Sequence, residues 1–176
     1  NPQGITIDSN GNIWITDYGN NRVQEFSSSG SYLSQFGSYG TSTGQFENPT
    51  GMAIDPNGNI WVVDSNNYRV QEFSSSGSYL SQFGSYGSGN GQFNAASNLA
   101  IDSNGNIWVA DTDNHRIEEF SSSGTYLALF GSVGSGNGQF TFPVGGTIDS
   151  NGNIWVVDQN NSRVQEFSSS GAYIAQ

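Results

Sequence analysis

An acidic loop recurs four times in this chain and is the first candidate for metal chemistry. It reads Asp-x-Asn-Gly-Asn and begins at Asp8, Asp55, Asp102 and Asp149. Oxygen ligands at alternate positions suit Ca²⁺, but the loop lacks the further carboxylates and the distant bidentate glutamate of a calcium-binding loop. A tight hairpin explains the same residues, because Asp accepts hydrogen bonds from backbone amides and Gly adopts the left-handed region. We therefore expect a structural loop without a metal.

Each of the four arginines follows an aspartate by five positions. The pairs are Asp17 and Arg22, Asp64 and Arg69, Asp111 and Arg116, and Asp158 and Arg163. One pair in every repeat favours a structural ion pair across a turn, with an anion or substrate site as the alternative. A second acidic series comprises Glu25, Glu72, Glu119 and Glu166, which we interpret as solvated edge charges and not as a ring of metal ligands.

The sequence contains no recognisable catalytic arrangement. His115 is the only histidine, at a loop position that Asn21, Tyr68 and Ser162 hold in the other copies. A repeated Ser-His-Asp arrangement would need more histidines, and the absence of cysteine excludes thiol nucleophiles and thiolate metal sites. The Gly-rich segment 84–91 lacks the lysine and the following helix of a phosphate-binding loop. We predict no catalytic residue, no cofactor and no metal.

The charge of the chain limits its partners. Fifteen acidic residues and four arginines, with no lysine, give a net charge of −11. This charge disfavours binding to nucleic acid and to anionic membranes, and no apolar run approaches the ~20 residues that span a bilayer. Low charge content with abundant Gly, Ser, Asn and aromatic residues favours an extracellular or cell-surface protein. The sequence opens inside its repeat pattern with no visible signal peptide, so we expect a mature fragment.

A repeat of 47 residues positions all these groups. Its markers are the tryptophans Trp14, Trp61, Trp108 and Trp155. The copies are residues 1–47, 48–94, 95–141 and 142–176, and the last is truncated. Segments 22–40 and 69–87 are identical at every position, which indicates recent duplication or deliberate design. A period of this length is typical of repeat architectures.

Each copy holds four short runs with strand chemistry, named a to d in chain order. In the second copy they are Gly51–Ile54, Asn59–Asp64, Arg69–Phe73 and Tyr79–Phe83. β-Branched and aromatic residues favour strands, Asn-Gly favours hairpin turns, and frequent Asn and Gly disfavour helices. We predict an all-β fold, a β-propeller of four-stranded antiparallel blades with four blades in a single unit, residues 1–176.

The repeated motifs resemble a known family. They are Pro-x-Gly-x-Ala-Ile-Asp, Gly-Asn-Ile-Trp-Val-x-Asp, Asn-x-Arg-Val-Gln-Glu-Phe and Gly-x-Gly-Gln-Phe. This pattern resembles the NHL repeat over the whole chain, with departures at Ala96, Asn98 and Gly146. The family usually closes a ring with five or six blades. The resemblance therefore implies a piece of a longer propeller, a tight four-bladed ring or an oligomer, and we expect missing blades or self-association.

The copies differ mainly at one end of the blade. Because strands alternate in direction, the a–b and c–d turns share one face, here called the uniform face. The b–c turns and the d–a links share the other, here called the variable face. Loops on a rigid scaffold often carry function. The candidate partner-binding residues are therefore Tyr18, Tyr68, Asp113, His115 and Phe142, with drift in unconstrained loops as the competing explanation.

These features favour a non-enzymatic scaffold that recognises a protein or glycan partner through the variable face. A structural or designed self-assembling propeller without a ligand is the main alternative. The family resemblance also implies a metal-dependent lyase or hydrolase, which needs His or carboxylate ligands on the inner strands. Strand a instead supplies Thr6, Ala53, Ala100 and Thr147. RNA binding, known for certain NHL domains, requires a basic face that a net charge of −11 opposes.

Overall fold

The computed structural model describes residues 1–176 as four antiparallel sheets of four strands each. Each sheet comes from one copy of the repeat, and its strands follow chain order from the inner to the outer edge. Blade one contains β1 (Pro2–Ile7), β2 (Ile13–Asp17), β3 (Arg22–Phe26) and β4 (Tyr32–Phe36); blade two β5 (Pro49–Ile54), β6 (Ile60–Asp64), β7 (Arg69–Phe73) and β8 (Tyr79–Phe83); blade three β9 (Ala96–Ile101), β10 (Ile107–Asp111), β11 (Arg116–Phe120) and β12 (Tyr126–Phe130); blade four β13 (Pro143–Ile148), β14 (Ile154–Asp158), β15 (Arg163–Phe167) and β16 (Tyr173–Ala175).

The prediction of an all-β, four-bladed β-propeller is confirmed. Strand a begins earlier than expected, at Pro49 in blade two, because a bulge between Pro49 and Met52 continues the pairing with β6. Each b–c turn is a three-residue 3-10 helix, which the sequence did not predict. These four turns, such as Ser65–Asn67, are the only helices, and none has the length or apolar character to cross a membrane.

The second strand of an internal blade is buried on both faces. In β6, Ile60, Trp61, Val62 and Val63 are each at most 1% exposed. Alternating residues of this strand face different neighbours, because successive side chains of a strand point to opposite sides of its sheet. Ile60 and Val62 pack against blade one, whereas Trp61 and Val63 pack against blade three. The unbroken apolar run is therefore the mark of a sheet packed between two others.

Three hydrophobic cores join the four sheets, one between each pair of consecutive blades. The core between blades one and two shows the pattern. Trp14 and Val23 of blade one meet Ile60 and Phe73 of blade two, and Phe46 of the intervening link fills the remaining space. A position-matched phenylalanine serves the other two links, at Phe93 and Phe140. The links are therefore part of the core and not flexible spacers.

Blades four and one are not joined to each other. No hydrogen bond and no buried hydrophobic cluster connects them. The four inner strands nevertheless surround one central cleft of about 460 Å³. The blades thus form an arc about a common axis, with one sheet face open at each end.

Candidate functional site

The b–c turns and the links meet on the variable face. Asn67, in the b–c turn of blade two, donates a side-chain hydrogen bond of 2.9 Å to the carbonyl of Gly40 in the preceding link. Asn114 and Asn161 make the matching bonds to Gly87 and Gly134, each at 2.8 Å. Each link is thus held between the b–c turns of two consecutive blades. The variable face is consequently a surface of hydrogen-bonded turns and links and not a set of independent loops.

The residue after each 3-10 turn has a left-handed backbone. These residues are Asn21, Tyr68, His115 and Ser162, with φ between 52° and 57°. The first residues of the following blades, Asn48, Ala95 and Phe142, share this conformation. Asn21 Oδ1 accepts a 2.8 Å hydrogen bond from the Asn48 amide, and His115 Nδ1 accepts one of 3.1 Å from the Phe142 amide.

This contact gives His115 a structural role that sequence reasoning missed. A ring nitrogen that accepts a hydrogen bond carries no proton, so the bond to the Phe142 amide requires the tautomer with hydrogen on Nε2. The two rings also touch, with centroids 4.8 Å apart and an interplanar angle of 77°. His115 and Phe142, both candidates from sequence, therefore form one unit that joins blades three and four.

The other candidate residues are spread along the arc. Tyr68 packs against Tyr86 of the following link, with ring centroids 4.8 Å apart. Tyr18 is half-buried, and Asp113 is exposed and makes no ion pair. No side-chain hydrogen bond or ring contact joins Tyr18 or Asp113 to the other candidates. The structure brings together His115 and Phe142 only.

Two exposed tyrosines on the links were missed because the Gly-rich links resemble spacers. Tyr39 is 67% and Tyr86 is 65% exposed. Each lies in an isolated β-bridge, with Phe46 and Phe93 respectively, so the backbone under each ring is fixed. A cleft of about 350 Å³ lies beside Tyr86 and is lined also by Gly87, Ser88, Asn94 and Asn114. The available signal was an aromatic residue at the same position of two Gly-rich links.

Beneath the variable face, each Asp–Arg pair fastens a link. Asp64 is fully buried and its Oδ2 accepts from Arg69 Nε at 2.8 Å, while its Oδ1 accepts from the Glu47 amide at 2.7 Å. Burial raises the pKa of Asp64, although the amide of Glu47 and the side chains of Asn67 and Arg69 oppose this shift. The guanidinium of Arg69 also donates to the carbonyls of Thr41, Ser42 and Gln45.

The same pair recurs in the other blades with distances of 2.8 to 3.1 Å. In blade one the Arg22 side chain is 32% exposed and bonds only Asp17 and Gln35. The internal arginines have no free donor surface for an anionic ligand, because carboxylate and carbonyl oxygens surround them. This geometry gives the internal pairs a structural role in holding the links.

Blade three differs from its neighbours by one buried carboxyl group. Glu118 stands where blades two and four have Gln71 and Gln165, and all three side chains are fully buried. Gln71 Nε2 donates to the carbonyl of Gln45 and to Asp64 Oδ2, at 2.8 and 3.1 Å. An ionised Glu118 cannot make these donations.

The environment of Glu118 raises its pKa. Glu118 Oε2 accepts from the Gly91 amide at 2.9 Å, and Oε1 forms an ion pair with Arg116. Burial is the largest effect and raises the pKa of Glu118 to about 7, although Arg116 and the Gly91 amide lower it. Nearby Asp111 raises it further. Glu118 is thus a fully buried carboxyl group, and its hydrogen bond to Gly91 holds the link that carries Tyr86.

The acidic loops on the uniform face cap hairpins. Asp149 Oδ1 accepts from the amides of Asn151 and Asn153 at 2.8 and 2.9 Å, and Oδ2 accepts from Trp155 Nε1 at 3.3 Å. The Asn153 amide is the main cause that lowers the pKa of Asp149, and Trp155 contributes. These contacts occupy the carboxylate that a cation would need, and no group of three His, Cys, Asp or Glu residues is arranged to hold a metal.

The prediction that the strand-c glutamates are solvated edge charges was wrong. In every blade this glutamate accepts a hydrogen bond of 2.8 to 3.0 Å from the last asparagine of the acidic loop. Glu25 and Glu72 also accept from the serines Ser34 and Ser81 on the outer strand. Sequence reasoning could not find this contact, because it links residues 13 positions apart on neighbouring strands.

The central cleft has no ionisable side chain in its lining. Its residues are Gln3, Gly4, Ile5, Thr50, Gly51, Met52, Ser97, Asn98, Leu99, Val144 and Gly146. Asn98 occupies a position at which the other copies have glycine, and side chains at Gly51 or Gly145 would collide with it. The cleft thus offers amide, hydroxyl and apolar surface, but neither an acid nor a base.

Fold and repeat chemistry together define a β-propeller assembled from tandem 47-residue blades. The profile of the NHL repeat matches residues 1–26, 46–73, 93–120 and 140–167. The chain belongs to the NHL repeat family. A search of curated protein sequences gives no significant match.

Solved structures share the fold at low sequence identity. Virginiamycin B lyase from Staphylococcus aureus is 19% identical, with a TM-score of 0.73 over 98% of this chain and 54% of the lyase. A protein of unknown function from Bacteroides caccae is 20% identical, with a TM-score of 0.74 over 99% of this chain and 66% of that one. An auxiliary nutrient binding protein from Bacteroides thetaiotaomicron is 14% identical, with a TM-score of 0.73 over 94% of this chain and 47% of that one. The chain spans about half the length of the lyase.

Proposed function

We propose that this chain is a non-enzymatic binding module that recognises a protein or glycan partner through the variable face. The observation that carries the proposal is the pair of exposed rings, Tyr39 and Tyr86, on backbone fixed by β-bridges. Tyrosine rings supply a large contact area, and an anchored backbone lowers the conformational entropy that is lost on binding. The turns of the uniform face, by contrast, contain mainly Ser, Asn, Asp and Gly.

The cleft beside Tyr86 favours an uncharged ligand such as a neutral glycan. It combines one aromatic ring with the Asn94 side chain, the side-chain oxygen of Asn114 and the Ser88 hydroxyl, and no charged residue lines it. The other two junctions lack this combination. Glu47 replaces Asn94 between blades one and two, and Val133 replaces Tyr86 between blades three and four. A neutral ligand also avoids the net charge of −11. We propose an extracellular setting for this binding, in keeping with the absence of lysine and the low charge content.

Two alternatives receive less support. A lyase or hydrolase needs an acid, a base or metal ligands where its substrate binds, and the lining of the central cleft offers none. The structural likeness to virginiamycin B lyase concerns the fold, at 19% identity. A self-assembling structural propeller is the stronger alternative, because blades one and four each leave a sheet face open.

The proposal is tested with two defined probes, a neutral glycan array and an immobilised random-peptide library. A variable-face set of alanine substitutions is compared with a matched uniform-face set. The first set is Tyr39, Tyr68 and Tyr86, and the second is Ser28, Ser75 and Ser122. Binding that is lost in the first set and kept in the second supports the proposal. Equal loss from both sets, or no binding to either probe, overturns it.

A further inference from the structure

The exposed sheet faces of blades one and four match the two sides of every internal interface. At each internal junction, one blade presents a trailing face and the next presents a leading face. The trailing face contains the second and fourth residues of strand b and the second residue of strand c. In blade two these are Trp61, Val63 and Val70, all at most 1% exposed.

Blade four presents this trailing face to solvent. Its fourth strand-b residue, Val157, is 40% exposed, and its second strand-c residue, Val164, is 44% exposed. The equivalents in blade three, Ala110 and Ile117, are each 4% exposed in the core with blade four. The difference arises solely from the neighbour that covers the internal blades.

Blade one presents the complementary leading face to solvent. Ile5 and Ile7 are 68% and 63% exposed. Their equivalents Met52 and Ile54 pack in the core between blades one and two, and Met52 is 5% exposed. The chain therefore carries one uncovered copy of each half of an interface that it already forms three times.

We propose that a second copy of this chain covers these faces head to tail, so that blade one of one copy packs on blade four of the other. The apolar surfaces that would meet are the same residue positions that pack at the three internal interfaces, so their complementarity is already demonstrated within the chain. Closed head-to-tail contacts form rings when the rotation between copies allows it.

This junction is weaker than an internal one. The internal cores also contain a linking segment that places Phe46, Phe93 or Phe140 against the next blade. Two separate copies are not joined covalently, so no link of the same chain holds their two faces together. We therefore expect the associated fraction to rise with protein concentration, as mass action requires.

The test is sedimentation velocity of the 176-residue chain over a range of concentrations, with three variants. Val164→Asp places a charge on the trailing face and Ile5→Asp places one on the leading face. Leu80→Asp is the matched control, because Leu80 is 48% exposed on the outer strand of an internal blade. The wild type and Leu80→Asp are expected at twice the 18.8 kDa chain mass or above, and each face variant at the single-chain mass.

A mixture of the two face variants identifies the contact as head to tail. Val164→Asp keeps an intact blade-one face, and Ile5→Asp keeps an intact blade-four face. The mixture can therefore form one junction between two unaltered faces, although neither variant associates alone. Circular dichroism of each variant checks that it is folded. A wild type that stays at 18.8 kDa at every concentration overturns the proposal. So does association that either face variant retains, or a mixture that remains at single-chain mass.

Discussion

Replacement of Glu118 by glutamine should stabilise the protein at neutral and basic pH. Glutamine occupies the same position in blades two and four, where its amide donates to a link carbonyl and to the buried aspartate. Glu118 has the acceptor for the Gly91 amide but lacks the donor when ionised. The variant restores the donor without a change in side-chain size, so no new cavity or strain accompanies it.

The magnitude follows from the linkage between protonation and folding. The pKa of Glu118 is raised from 4.5 to about 7 in the folded protein. The native state thus holds the proton more tightly than the unfolded state, and stability from this group is fully present below pH 4.5 and declines as the pH rises to about 7. The decline amounts to about 3 kcal/mol, because one pKa unit corresponds to ~1.4 kcal/mol.

The assay is chemical denaturation of the wild type and Glu118→Gln at a series of pH values. The difference in the free energy of unfolding isolates Glu118, because all other titrating groups are common to both proteins. We expect the variant to be more stable by up to about 3 kcal/mol above pH 7, with a difference that shrinks toward pH 4.5. Gln71→Glu is the mirror control and should introduce the same pH dependence into blade two. A difference that does not vary with pH, or a less stable variant at high pH, would refute the reasoning.

Two further predictions use the repeats as internal controls. His115→Asn keeps an acceptor for the Phe142 amide, as the equivalent asparagine does in blade one. We therefore expect urea denaturation to show that this variant is more stable than His115→Ala by about 1 kcal/mol. Equal stability of the two variants would show that the hydrogen bond contributes nothing. Gly77→Ala and Gly30→Ala have matching backbones, with φ of 78° and 82°, but an added Cβ meets the Phe36 ring at 2.7 Å only in the former. The former should cost about 1–3 kcal/mol more in thermal denaturation, and equal costs would contradict the close packing.

The sequence repeat was enough to predict the architecture, because each blade is formed by one continuous segment of the chain. A hairpin such as that between β5 and β6 depends on Asn-Gly and on flanking apolar residues, and all of them are local. The same holds for the interface, since an apolar residue on both sides of β6 already indicates a sheet packed between two others. Only the bulge near Pro49 and the 3-10 turns were not predicted, because they are backbone details that the side-chain pattern does not encode.

The candidate site was less predictable because its contacts join segments about 27 residues apart. His115 stood out as a unique residue, but its bond to the Phe142 amide depends on two left-handed residues that face each other. Glu118 resembled an ordinary polar residue of a strand, and its full burial results from a neighbouring link and not from its own strand. Tyr86 was missed because Gly-rich composition concealed a fixed backbone.

The arginine contacts also join each blade to chain that is synthesised before it. Arg69 binds carbonyls 24, 27 and 28 residues before it in the chain, so a link leaves the exit tunnel well before the arginine that secures it. During synthesis, the most recently made link therefore lacks its arginine contacts, and Phe46 or its equivalent is not yet buried by the following blade. Each link is therefore synthesised before the blade whose arginine holds it in the folded protein.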